Sequence, residues 1–386
     1  MAIAPSRFAG LSTGHARLVL LAFAFVMLAG VLLSFSTATS KDGVEGANDL
    51  SLYRAVIERM KHGESYYPVA ASELREHSYA LRPALNFRLP TLATLLALLP
   101  GFAGLLLLRT LAASVVIAWV ARFRRDGMRW PHATAAGAVL FTGVGLAVSE
   151  AALVWHEVWS GLLTALALAV HGRRTWGVSV GLALCAVLIR ELALPLPLIM
   201  LALSVRERRL GEAAAWLSVI LAFLAALSAH LFFATQQLLA SDPANGWVAI
   251  GGWGFILATA KWNLLLSTAP TWLNALIVPT AIIGLAGLNE RAGGRALAAL
   301  CSWLVVFFFL GRPDNHYWGL IYAPLLALGC VFAAPSLLAL IQTALPAPDR
   351  PAPDRPAPDR PAPDRPAPDR PGADRTATDQ SLAQRR

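Results

Sequence analysis

Ionisable groups are scarce in this chain, and their positions are the first guide to its chemistry. In the stretch GVEGANDLSLYRAVIERMKHGESYYP, residues 43–68, Asp49 stands at the mouth of an apolar run. An amphipathic segment and the triplet Tyr66-Tyr67-Pro68 follow it. Beyond this stretch the acids on the same side of the apolar runs are Glu150, Glu157, Glu191, Asp242 and Asp314. The basic residues there are Arg190, Lys261 and Arg312, with Arg109 inside an apolar run. Ionisable side chains beside apolar spans are costly to place, so each is a functional candidate. A carboxylate there can take a proton from a hydroxyl, and a nearby cation can hold a phosphate.

Three short stretches concentrate such groups. In LIRELALP, Arg190 and Glu191 interrupt an apolar region ahead of Pro195 and Pro197. They read either as an intramembrane ion pair or as phosphate contacts. In ALVWHEVWSG, His156 and Glu157 sit between tryptophans, but one His and one Glu in sequence lack the i, i+4 spacing of a helical metal site. In GRPDNHYWGLIYAP, Arg312, Asp314, Asn315, His316, Tyr317 and Trp318 gather in one short turn suited to headgroup binding. For Asp49 a purely structural reading competes: Asn48 or Asp49 stands where a helix N-cap would, and Gly63 where a C-cap would.

The sequence holds no Walker loop, no dinucleotide fingerprint after a strand, no HExxH and no GxSxG. ATPase, dehydrogenase, metalloprotease and α/β-hydrolase chemistry are thereby set aside. Cys185, Cys301 and Cys330 lie in apolar runs without disulfide or metal spacing, so neither metal nor cofactor is expected.

The elements that must position these residues are membrane helices. The chain has 386 residues, is 56% hydrophobic and 14% charged, and has a mean hydropathy of +0.57. Long apolar runs recur at the length a bilayer demands, giving an all-α, polytopic transmembrane bundle. About ten spans are expected, near 18–39, 102–121, 133–149, 157–171, 177–190, 192–205, 213–233, 272–288, 296–310 and 319–341. Arginines fill every second connection: Arg122, Arg124, Arg125 and Arg129; Arg173 and Arg174; Arg206, Arg208 and Arg209; Arg291 and Arg295. With Arg7 and Arg17 ahead of the first span, this alternation puts both termini inside. The first span is expected to be an uncleaved anchor.

Residues 1–344 thus form one membrane domain. Its longest polar part is an outer loop, 40–90, carrying an amphipathic helix at 50–62 that lies in the headgroup plane. A second outer segment, rich in Trp and Gly (Trp247, Trp253, Trp262, Trp272), reads as an interfacial belt or a half-buried re-entrant piece. From 345 onward PAPDR repeats five times, and the tail holds eight Arg and seven Asp. Such a tail has no residues with which to build a core and is expected to be a disordered, solvated strip. The net charge of +9 therefore resides in the inner loops, where anionic lipid headgroups, not nucleic acid, are the natural partner.

Asp49 with Tyr53, Gly63 with Tyr66 and Tyr67, and Arg88 with Pro90 match the order D-x-x-x-Y, G-x-x-Y-Y and Arg-x-Pro after a first span. In this the chain resembles the GT-C superfamily of polyprenyl-phosphate-dependent glycosyltransferases. It is most similar to bacterial relatives of the polyprenol-phosphate-mannose-dependent mannosyltransferases, to which the Arg190-Glu191 pair also conforms. The resemblance covers most of 18–341 in architecture and is specific in the first loop. It implies a cell-envelope enzyme of the inner (plasma) membrane with its active site on the outer, periplasmic side. It implies Asp49 as general base, inverting transfer from a polyprenyl-phosphate sugar to a glycan or lipid acceptor, and no metal. Tyr53, Tyr66, Tyr67, Arg88, His156, Glu157, Arg190, Glu191, Lys261, Arg312, Asp314 and His316 become the substrate-binding candidates. Many members carry two adjacent acids or a large domain after the last span; here Asn48 neighbours Asp49, and only the repeat tail follows. The competing readings are a transporter or lipid flippase, and a non-catalytic assembly subunit in which Asp49 only caps its helix.

Overall fold

The computed structural model describes residues 6–36, 45–244, 249–288 and 291–345; the repeat tail, Trp247 and the end of the expected 18–39 span lie outside them. The described residues are overwhelmingly helical, and their only extended pairing is a bridge between Arg82 and Ala244. The α-helices are α1 (Thr13–Ser36), α2 (Glu45–Lys61), α3 (Tyr66–Glu76), α4 (Thr91–Leu98), α5 (Gly101–Arg125), α6 (Trp130–Val144), α7 (His156–Val170), α8 (Trp176–Ile189), α9 (Pro195–Arg206), α10 (Leu210–Thr235), α11 (Gly252–Ala260), α12 (Thr271–Gly287), α13 (Arg291–Leu310) and α14 (Ala323–Ala344).

A bilayer core about 30 Å thick needs about 20 helical residues. Six helical segments of 19 to 26 residues meet that need in length and apolarity: Thr13–Phe35, Gly101–Arg125, Trp130–Val148, Leu210–Thr235, Ala292–Leu310 and Ala323–Ala344. The other expected spans, at 157–171, 177–190, 192–205 and 272–288, correspond to α7, α8, α9 and α12, which have only 15, 14, 12 and 17 residues. Pro195 and Pro197 begin α9 late, where a missing N–H costs nothing. On the outer surface of the bundle, Leu21, Phe25 and Leu32 of α1, Ile117 of α5 and Phe232 of α10 are exposed, an apolar surface that hydrocarbon accepts and water does not.

Polar contacts sort the bundle into two ends. At one end Arg122 Nη1 donates to the carbonyls of Ala169 and His171 (both 3.1 Å), and His171 meets Glu212 at 2.8 Å. Arg295 reaches Glu207 (3.3 Å), Arg17 donates to the carbonyl of Ala344 (2.9 Å), and Ser6 to that of Gly287 (2.9 Å). The arginine-rich connections and both described chain ends therefore share this end. Between the ends, α12 and α14 cross with their backbones touching. A Cβ on Gly284 would lie 1.9 Å from the Gly329 carbonyl oxygen, and one on Gly329 would lie 2.4 Å from that of Ala281.

The opposite end carries α2 to α4. Helix α2 begins at Glu45, not near residue 50, so Asp49 lies within it and is not its N-cap. Its apolar face is also not spent on headgroups: Leu52, Val56 and Ile57 are buried in the protein core, against α3 and α4. Gly63 ends the helix as expected. With φ +91° it allows Gly63 N–H to reach Met60 O and Glu64 N–H to reach Arg59 O, the paired bonds of a Schellman cap. Helix α3 ends the same way at Ser78 (φ +60°), with Ser78 N–H on Arg75 O and Tyr79 N–H on Leu74 O. Arg59 joins Glu64 and Glu73 across the α2–α3 turn, and Arg75 clasps both oxygens of Asp242 beyond α10 (2.8 and 2.9 Å). In the Trp- and Gly-rich segment α11 buries Phe255, Ile256 and Leu257, Trp253 is half-buried and donates to Gly30 O of α1 (3.0 Å), and Trp272 is exposed.

Candidate functional site

A cavity of about 610 Å³ opens at the α2–α4 end. Helices α2, α3 and α4 form an apolar wall through Leu52, Val56, Leu74 and Leu92. Facing that wall are Asp49, Tyr53, Tyr66, Tyr79, Arg88 and His156, with the short helical turn Pro313–Ile321 supplying Asp314, Asn315, Tyr317 and Trp318. Residues from the first loop, from the start of α7 and from the turn before α14 thus share one space. Most of the polarity belongs to a few groups on an otherwise apolar surface, the usual character of a small-molecule site.

Arg88 organises the floor. Its Nε donates to Tyr53 Oη (3.1 Å) and its Nη2 to Tyr317 Oη (2.8 Å). Its own main-chain carbonyl accepts from Tyr66 Oη (2.6 Å). Both guanidinium bonds end on neutral phenols, since burial pushes the Tyr53 and Tyr317 hydroxyls above their ordinary range. A guanidinium so held keeps its positive charge; Asp49, Glu157 and Glu191 act on it from a distance, but among the described residues no carboxylate forms an ion pair with it. An anion entering the cavity, such as a phosphate, would supply a direct ion pair.

Asp49 takes a hydrogen bond on Oδ1 from the Tyr79 hydroxyl. Burial raises its carboxyl above the ordinary aspartate range, and Asp314 adds to that rise; the Tyr79 bond and the charge of Arg88 act the other way. A base raised in this way is better matched to a hydroxyl proton near neutral pH than a solvated aspartate. At the mouth, Asp314 is itself paired with Arg312 (3.1 Å). His156 is almost wholly buried, lies edge-on to Tyr53 (5.1 Å between centroids), and has no hydrogen-bond partner for Nδ1.

Of the residues singled out in the sequence, Asp49, Tyr53, Tyr66, Arg88, His156, Arg312, Asp314, Asn315, Tyr317 and Trp318 line this cavity. The others do not. Tyr67 turns away to His230 Nδ1 (3.2 Å) and Phe233. Arg190 is fully buried, its Nε 2.6 Å from Glu157, with Glu191 on its Nη1. It reaches the cavity only through Trp318, whose ring it faces at 5.9 Å. The Arg190-Glu191 stretch is therefore an ion-paired support under the site, and Glu157 is the partner that sequence proximity did not reveal. His316 stacks on Trp262 and accepts from its Nε1 (2.9 Å). Lys261 caps α11 outside the cavity, and Arg109 binds the Val148 carbonyl on the bundle surface. Tyr79 and Asn86 line the cavity without having been singled out, because a lone Tyr or Asn in a loop carries no spacing signal. Among the described residues no cluster of three metal-ligating side chains occurs. No protein-family model, curated protein or solved structure matches the chain.

Proposed function

We propose that the protein is an integral membrane glycosyltransferase of the GT-C type, moving a sugar from a polyprenyl-phosphate donor to an acceptor hydroxyl. The observation that carries this reading is the pairing, in one cavity, of a half-buried carboxylate with a guanidinium whose hydrogen bonds end on neutral phenols. In this reading Arg88 holds the phosphate. The acceptor oxygen attacks the anomeric carbon from the opposite face and gives its proton to Asp49. The bond from that carbon to the phosphate oxygen breaks, its electron pair stays on the phosphate, and the configuration inverts. A phosphate monoester leaves as an anion without needing a proton, so one base and one cation suffice.

The membrane arrangement follows the same reading. The arginine-rich connections face the cytoplasm with both termini, about ten helices cross, and the cavity opens on the periplasmic side of the inner membrane. What supports it is the gathering of those connections at one end of the bundle and of the cavity at the other. The four short helices fit by tilting or by local thinning of the bilayer.

The test is transfer of tritiated sugar from a synthetic polyprenyl-phosphate mannose by the purified protein in lipid vesicles, with envelope lipids and glycans of a deletion strain as acceptors. Labelled product from wild type and none from Asp49→Asn is the expected result. Full activity of Asp49→Asn would remove the base. Substrate movement across sealed vesicles without any glycosyl transfer would favour a transporter.

A further inference from the structure

The cavity lining holds a residue that the glycosyl-transfer reading leaves without a role. We propose that Tyr79 is the positioning residue of Asp49, its hydroxyl fixing one carboxylate oxygen so that the other is left to receive the acceptor proton. This rests on the proposed function for its chemistry, but not for its geometry.

The geometry begins in the backbone. Helix α3 stops at Glu76, and Ser78 takes up a left-handed conformation (φ +60°) that few non-glycine residues adopt. The N–H of Ser78 closes on Arg75 O, and that of Tyr79 on Leu74 O (2.8 Å). These bonds reverse the chain and lay Tyr79 against Leu74, the apolar contact that accompanies such a cap. The same reversal brings the Tyr79 hydroxyl onto Oδ1 of Asp49, two helical elements away in sequence. Among the described residues, no other hydrogen bond to Asp49 is found.

The charges facing Asp49 make a donor there consequential. Arg88 and the more distant Arg190 favour its ionised form, and Asp314, itself tied to Arg312, opposes it. The phenols Tyr53 and Tyr317 are neutral, and His77 turns back onto the Glu73 carbonyl (2.9 Å). Tyr79 alone donates a hydrogen bond to the carboxylate, and burial works against ionisation. Removing that donor leaves the carboxyl protonated to higher pH and free to rotate.

The experiment uses the full chain in nanodiscs and dicyclohexylcarbodiimide, which modifies protonated carboxyls in apolar surroundings. Modification of Asp49 is read by mass spectrometry across pH, with no need for transfer. Tyr79→Phe is expected to move the midpoint upward by about 0.5–1 pH unit, and 3-fluorotyrosine at position 79, a stronger donor of the same shape, to move it downward. The acid limb of the transfer rate should shift with each variant, with a fall in kcat and little change in KM. An unmoved midpoint in both variants, with the fold intact by thermal unfolding, overturns the role of Tyr79. If Tyr79→Phe does not fold, the fluorotyrosine shift alone decides. A shifted midpoint in a protein that transfers no sugar would support the role of Tyr79 and remove the glycosyltransferase.

Discussion

Both polar ends of the bundle pair most of their charged groups, as Arg75–Asp242 and Arg190–Glu157 show at the cavity end, but among the described residues only the cavity end holds a guanidinium, that of Arg88, whose bonds end on phenols. At the arginine-rich end the buried carboxylates and their neighbours meet opposite charges. Glu212 receives Arg209, His171 (2.8 Å) and the Trp216 N–H (3.2 Å), and Glu207 receives Arg209 (2.8 Å) and Arg295 (3.3 Å). At the cavity end Arg88 leans on phenols and Asp49 on one phenol. Burial of a charge does not by itself mark function, because both ends show it. A guanidinium bonded only to phenols is the more informative feature, since an anionic ligand can still pair with it directly.

Mutations should separate the two ends. The largest effect is expected from Asp49→Asn, which keeps an acceptor for Tyr79 but cannot take a proton. Transfer should fall about 10²–10⁴-fold, with unchanged yield of folded protein. At the far end, Glu212→Ala leaves His171, Arg209 and the Trp216 N–H without their shared partner. Stability should drop by about 3–5 kcal/mol, read as a lower thermal midpoint, while the folded fraction keeps its KM. Should Glu212→Ala abolish transfer without destabilising, the contrast between the ends would fail. Arg88→Lys keeps the charge but cannot span both phenols. It should reduce transfer about 10²-fold through weaker donor phosphate binding and transition-state stabilisation.

A pH profile sharpens the same contrast. Asp49 is raised above the ordinary aspartate value of 3.8, so its ionisation costs the folded state stability at high pH and nothing below that value. Asp49→Asn should therefore melt at or above wild type at neutral pH and match it below pH 3.8. The transfer rate should fall, as pH falls, at a pH above 3.8. The smallest effect is expected from Ser78→Gly, which removes left-handed strain from the α3 cap and should add about 0.5–1 kcal/mol. Arg208 holds the equivalent cap position after α9 (φ +55°), and Arg208→Gly should gain a similar amount at the opposite end.

How far the sequence could be read follows from which signals are local. Apolar length is local, so the long spans were legible, and α7, α8, α9 and α12 were legible close to their observed short bounds, with α9 starting about three residues late at Pro195. The start of α2 was misjudged because Glu45 to Asn48 carry no apolar periodicity, although an acid in a first helical turn is favoured by the helix dipole. Helix α11 was hidden by interleaved Gly and Trp, which speak for interface and turn at once. The residues of the candidate site were legible where a rule of cost applied, as for Asp49 and Asp314, whereas Arg88 entered only through the Arg-x-Pro resemblance. Arg190 was ambiguous because its partner Glu157 arrives from the preceding helix, and nothing local to either residue shows that pairing.

The glycine crossing of α12 and α14 has a consequence for how damage to this protein would present itself. Two backbones in direct contact cannot slide or yield, so the pair acts as the fixed spar against which the neighbouring parts are aligned. Helix α14 continues directly from the turn that carries Tyr317 to Arg88. Alanine at Gly284 would wedge the spar apart and tilt that turn, so the damage would surface at the cavity although Gly284 is not among its lining residues.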